Sequence, residues 1–170
     1  MFKKTILASS IILLSGAVSA ESGYLGLSVG QTDIDTSDFD DGRSIAITGG
    51  YKFNENFAIE ATYVDLGESE DNEDPVWTIE GDGFNLSAVG IVPVNETIDI
   101  FGKIGIFKWD VSLDEAGLGE IDSDDGTDLS YGIGASVNLT EQFGVVFEYQ
   151  RLDIDDLNLS NISIGARFNF

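Results

Sequence analysis

The chain has 170 residues, with 31 acidic and 8 basic side chains, no histidine and no cysteine. Without histidine there can be no Ser-His-Asp triad, no histidine-ligated zinc and no histidine general base; without cysteine there is no disulfide framework. A mean hydropathy of +0.05 at a formal charge of −23 requires apolar and acidic residues to be segregated, and so acidic a chain is a poor partner for nucleic acid.

Lys3 and Lys4 precede an apolar stretch from Ile6 to Leu14, and Val18-Ser19-Ala20 has the small-x-small pattern of a signal-peptidase site. Residues 1–20 are therefore expected to be a secretory signal and residues 21–170 the folded domain. No later segment has the run of about eighteen apolar residues that a transmembrane helix needs, which leaves a closed sheet as the way to span a bilayer. Eight segments alternate with period two: Gly23 to Gln31, Arg43 to Phe53, Phe57 to Leu66, Gly83 to Val92, Ile98 to Val111, Leu129 to Leu139, Phe143 to Leu152 and Leu159 to Phe170. Their connections alternate short (Asn54 to Asn56, Pro93 to Thr97, Thr140 to Gln142) and long (Thr32 to Gly42, Gly67 to Asp82, Ser112 to Asp128). This pattern predicts an all-β fold, an eight-stranded antiparallel up-and-down transmembrane β-barrel with short periplasmic turns and long outer loops. The competing fold is a soluble β-sandwich.

Parity sorts the side chains. Leu25, Leu27 and Val29, Ile45 and Ile47, Phe57, Ile59 and Tyr63, Phe84 and Leu86, Ile104 and Ile106, and Phe143, Phe147 and Tyr149 are expected to face lipid. Gly26, Ser28, Gly30, Thr48, Asn85, Ser87, Ser130, Gly132, Gly134 and Ser136 are expected to line a small, polar lumen. The last strand carries Ile162, Ile164, Ala166, Phe168 and Phe170 on one face; Phe168 and Phe170 are the expected signal to the barrel-assembly machinery.

All six cations beyond the signal lie on predicted strands. Lys52, Lys103 and Arg167 face the lumen by parity, together with Glu60 and Glu148. A charge in a narrow, filled barrel must find an opposite partner, so these five are read as a plugging ion network, with a salt-bridge gate as the alternative. Arg43, Lys108 and Arg151 fall on the lipid-facing side near the outer strand ends, where they would reach lipopolysaccharide phosphates or anchor the interface. The outer segments concentrate acid, including Asp122, Asp124 and Asp125, but the spacing departs from the EF-hand loop. Solvated, mutually repelling segments are expected, with weak binding of divalent cations as the alternative. No catalytic, cofactor-binding or metal site is predicted.

The stretch Gly49-Gly50-Tyr51-Lys52-Phe53-Asn54-Glu55-Asn56 leading to Glu60, the run Asn85-Leu86-Ser87-Ala88, and Phe147-Glu148-Tyr149-Gln150 resemble strand segments of the OmpA family's transmembrane barrel. The resemblance covers essentially all of residues 21–170 and implies interior charged positions at Glu60, Lys103 and Glu148. The family places a further interior lysine where this chain has Val89, and the peptidoglycan-binding domain of full-length members is not expected. In size the chain is similar to the small OmpX-like barrels, which implies surface adhesion and host interaction. Lipid A-modifying barrels and omptin proteases use a histidine, which this chain lacks. The combined expectation is a non-enzymatic protein of the bacterial outer membrane, structural and surface-interacting. Its partners would be outer-membrane lipid and lipopolysaccharide, the assembly machinery, and divalent cations or host surface molecules. A narrow ion-gated pore and an adhesin are the alternatives.

Overall fold

The computed structural model describes residues 22–34, 42–70, 77–115, 119–154 and 157–170; the expected signal segment lies outside them. Eight antiparallel strands follow in chain order: β1 (Gly23–Ile34), β2 (Gly42–Lys52), β3 (Phe57–Glu70), β4 (Trp77–Pro93), β5 (Ile98–Glu115), β6 (Gly119–Asn138), β7 (Phe143–Ile154) and β8 (Leu157–Asn169). Each pairs with its neighbour, and β8 returns to β1 from Tyr24↔Asn169 to Ile34↔Leu159, so the sheet closes. Closure gives every strand a partner on both sides within the barrel wall, which is the condition for backbone in hydrocarbon.

The three short turns share one chemistry. The side-chain oxygen of Asn54 accepts from the backbone N–H of Asn56 and Phe57, that of Asn95 from Thr97 and Ile98, and that of Thr140 from Gln142 and Phe143. Each oxygen satisfies donors that the ladder leaves unpaired at the hairpin end. At the opposite end the strands run further than period-two reading allowed. Gly67 to Glu70 extend β3, Trp77 to Asp82 begin β4, Ser112 to Glu115 extend β5 and Gly119 to Asp128 begin β6; these stretches were expected as loops. Strand pairing needs only backbone groups, so an acidic composition does not prevent it. The abundance of Asp and Gly concealed an alternation that continues through Trp77 and Ile79 and through Val111 and Leu113.

The outer wall follows the expected parity: Leu25, Leu27, Val29, Ile45, Ile47, Phe84, Leu86, Ile104, Ile106, Ile133, Phe147 and Ile164 are all exposed. On the last strand Phe170 is exposed, and Phe168 stacks edge-on between Phe143 and Phe170 at centroid distances of 5.0 and 5.4 Å.

The expectation of a uniformly small, polar lumen needs correction, because two apolar clusters lie inside. One, toward the outer end, comprises Val64, Leu66, Phe107, Trp109, Leu152 and Leu159. The other, toward the short turns, comprises Tyr24, Ala58, Val89, Ile91 and Phe101. Phe107 is 0% and Leu152 1% exposed. An eight-stranded interior is just wide enough for side chains to fill, and the aliphatic and phenylalanine side chains of these clusters bring no polar atom that burial would leave in need of a partner. Four lumen aromatics rest on glycines of an adjacent strand: Tyr24 on Gly50, Phe107 on Gly83, Trp109 on Gly126 and Phe101 on Gly134. A Cβ at any of these glycines would fall within the ring.

Gly50→Val and Gly83→Val are therefore expected to destabilise the barrel by roughly 1–3 kcal/mol through overpacking, read as a lower urea midpoint after refolding into lipid vesicles. Gly49→Val meets only Leu25 at an ordinary contact distance and should leave the midpoint unchanged.

Candidate functional site

Between the two apolar clusters lies the charged centre of the lumen. β5 presents Phe101, Lys103, Gly105, Phe107 and Trp109 inward, so Lys103 is set between the lower and upper aromatics. Its ammonium donates to Glu60 Oε2 of β3 at 2.8 Å and pairs with Glu148 Oε2 of β7 at 2.7 Å. The Tyr24 hydroxyl donates to the other Glu60 oxygen at 2.7 Å. Both carboxylates and the ammonium are nearly sealed from solvent, with side-chain exposures of 5% for Lys103, 11% for Glu60 and 13% for Glu148. Bringing them together compensates in part for the several kcal/mol that stripping water from each ion costs.

Arg167 belongs to a neighbouring network nearer the short turns. Its Nη2 donates to Ser136 Oγ and Asn138 Oδ1, each at 3.2 Å, while Asp99 accepts from the same serine and asparagine. The guanidinium lies 5.3 Å from the Tyr24 ring centroid, a cation–π contact. Tyr24 thus links the two networks. Lys52 is half-buried and joins no ion pair among the described residues. Of the five lumen charges read from parity, the fold brings Lys103, Glu60 and Glu148 into contact, sets Arg167 beside them and leaves Lys52 apart. Tyr24 escaped the sequence reading, although it shares its inward parity with the small residues Gly26, Ser28 and Gly30.

The three remaining cations do not converge. Arg43 on β2 stands opposite Gln31, Lys108 on β5 opposite Phe84 and Thr127, and Arg151 on β7 opposite Tyr131 and Ser160. All lie in the outer half of their strands, at separate positions around the wall. Among the acids, Asp65, Asp82, Asp110 and Asp125 are direct cross-strand neighbours along β3 to β6. No cluster of three or more potential ligands positioned to hold a metal ion occurs among the described residues. Asp35, Asp38, Asp40, Asp41, Asp71, Glu73 and Asp74 lie outside them.

A closed eight-stranded sheet with an apolar exterior and a packed, ion-paired interior defines a transmembrane barrel. The chain belongs to the outer membrane protein β-barrel domain family, whose model matches residues 5–170. It is 23% identical over 180 residues to the attachment invasion locus protein of Yersinia pseudotuberculosis, across 98% of this chain and 97% of that protein. The fold is similar to the crystal structure of Neisserial surface protein A (TM-score 0.71, 16% identity, 87% of this chain and 97% of that one). It is also similar to Ail, the attachment invasion locus protein of Yersinia pestis, crystallised with the heparin analogue sucrose octasulfate (TM-score 0.61, 18% identity, 88% and 97%). The protein is thus a β-barrel of the bacterial outer membrane.

Lys103→Met leaves two buried carboxylates without their cation and should cost roughly 3–5 kcal/mol, measured by urea unfolding in lipid vesicles. Adding Glu60→Gln and Glu148→Gln should restore most of that stability.

Proposed function

We propose that this protein is a surface-interaction barrel of the adhesin type. The sheet formed by the outer parts of β3 to β6 would be its contact surface, and its lumen would be closed to solutes. The observation that carries this reading is strand length. A tilted strand crosses a bilayer in about 9–11 residues, whereas β4, β5 and β6 have 17, 18 and 20. At about 3.3 Å per residue, the β5–β6 hairpin would stand roughly 20–30 Å along its strands above the outer interface. β6 runs from Gly119, whereas its pairing with β7 among the described residues begins at Ser130↔Leu152, so the upper part of β6 would extend beyond its β7 partner. The relatives named for attachment and invasion support the same reading.

The partner's charge follows from the surface. Ail of Yersinia pestis has been crystallised with a polysulfated ligand, but the four aligned aspartates of β3 to β6 would repel a polyanion. A cationic or neutral macromolecule at a host surface suits this chain better. Arg43, Lys108 and Arg151, at separate points around the rim, would anchor the barrel to lipopolysaccharide phosphates, where a cation costs roughly 0–1 kcal/mol. Phe168 and Phe170 would present the last strand to the assembly machinery. The triad of Lys103, Glu60 and Glu148 would act as part of the plug. A salt-bridge-gated pore is disfavoured by the apolar clusters on either side of the triad.

Replacing Ser112 to Ser123 by Asn-Gly shortens the hairpin at the cross-strand pair Val111↔Asp124. Bacteria displaying this variant should lose adherence to epithelial monolayers while the barrel keeps its heat-resistant electrophoretic mobility. Adherence that survives the truncation of a correctly folded barrel would refute the assignment of the upper sheet as the contact surface.

A further inference from the structure

We infer that two aromatic-lined apolar layers, and not the ion pairs between them, form the barrier that closes this lumen. The inference rests on the closed-lumen reading above and assigns that closure to particular side chains. The ion centre occupies a single level. Along β5 the inward residues pass from Phe101 through Lys103 and Gly105 to Phe107 and Trp109. Along β3 they pass from Ala58 through Glu60 and Thr62 to Val64 and Leu66, and along β7 from Val146 through Glu148 and Gln150 to Leu152. The same order, apolar, charged, small or polar, apolar, recurs on three alternate strands, so each apolar layer draws on several sides of the lumen. Tyr24, Val89 and Ile91 complete the lower layer, and Leu159 completes the upper.

An ion that exchanged places with Lys103 would still face both layers. The buried hydroxyls and amides near the upper layer are already committed to one another: Asn161 Nδ2 donates to Thr32 and Ser44, and Ser130 donates to Asn85. They offer little to replace an ion's hydration, and an apolar constriction excludes water by dewetting. The rings are also held in place. Phe107, Trp109 and Phe101 are seated on Gly83, Gly126 and Gly134, and the Trp109 indole donates to Asp128 Oδ2 at 2.7 Å. The Lys103 ammonium lies 5.7 Å from the Phe101 ring centroid, but the seats of Phe107 and Trp109 are made by Gly83, Gly126 and Asp128 and would not depend on which carboxylate Lys103 pairs with.

The absence of cysteine permits a direct test. Ser87 is buried, faces the lumen two residues above Val89 on β4 and stands opposite Glu60. It therefore reports on the space between the layers. A single Ser87→Cys thiol in the refolded full chain, in phosphatidylcholine vesicles with a charged, membrane-impermeant thiol reagent on both sides, should be protected from labelling. It should stay protected with Glu148→Gln and with Phe107→Leu, which removes the ring but keeps a large apolar side chain in the upper layer. It should become labelled with Phe107→Ala/Trp109→Ala, which opens the upper layer, and with Phe101→Ala, which opens the lower. Heat-resistant mobility verifies folding of each variant; if the double variant fails to fold, Trp109→Ala alone replaces it with the same expectation. Labelling in the unaltered background would refute the closed lumen and this inference with it. Protection in the alanine variants, or labelling produced by Glu148→Gln alone, would overturn the assignment of the barrier to the rings while leaving the closed lumen intact.

Discussion

The hydrocarbon of a bilayer offers no hydrogen bond, so every backbone N–H and C=O at that depth must be paired by the protein itself. A helix meets this condition within one segment, but a sheet meets it only by returning to its first strand. The pairing of β8 with β1, from Tyr24↔Asn169 to Ile34↔Leu159, is therefore the interaction on which the rest of the molecule depends. Closure at eight strands sets a narrow interior. The narrow interior sets what the inward positions can hold.

Within that space the chain uses two incompatible solutions side by side. Apolar clusters pack above and below, and one cation with two carboxylates occupies the middle. The carboxylates tolerate burial because Lys103 serves both and the Tyr24 hydroxyl serves one. Tyr24 in turn lies against Arg167 and rests on Gly50, so one residue joins the ion centre, the mouth network and the lower apolar layer. Its large body and single polar tip suit it to that place.

Much of this architecture was legible in the sequence because a strand's period of two is local. Leu25, Leu27 and Val29 declare a lipid face whatever lies beside them, and the inward parity of Glu60, Lys103 and Glu148 followed from their own strands. What could not be read depended on strands meeting at a particular register. The contact of Lys103 with both glutamates, the distance of Lys52 from them, and the seating of Phe107 on Gly83 are all consequences of that register. Phe107 and Trp109 illustrate the difficulty: β5 is apolar on both faces, so alternation alone cannot announce that its inward aromatics fill the lumen. The upward extension of β3 to β6 was hidden for another reason. Acidic residues and glycines resemble a loop when composition is read, yet in water a paired strand accommodates them.

The three short turns, each held by an Asn or Thr side chain, bear on how such a molecule is made. They preset three hairpins, β2–β3, β4–β5 and β6–β7, from residues adjacent in the chain. Seven of the eight ladders join strands that follow one another, and nearly the whole long-range cost is deferred to the eighth, where Thr32 meets Asn161 across 129 residues. Because loop-closure entropy must be spent before distant contacts repay it, the slow event in forming this barrel is the joining of one seam. Until that seam forms, the molecule is a curved sheet with two unsatisfied edges, β1 and β8.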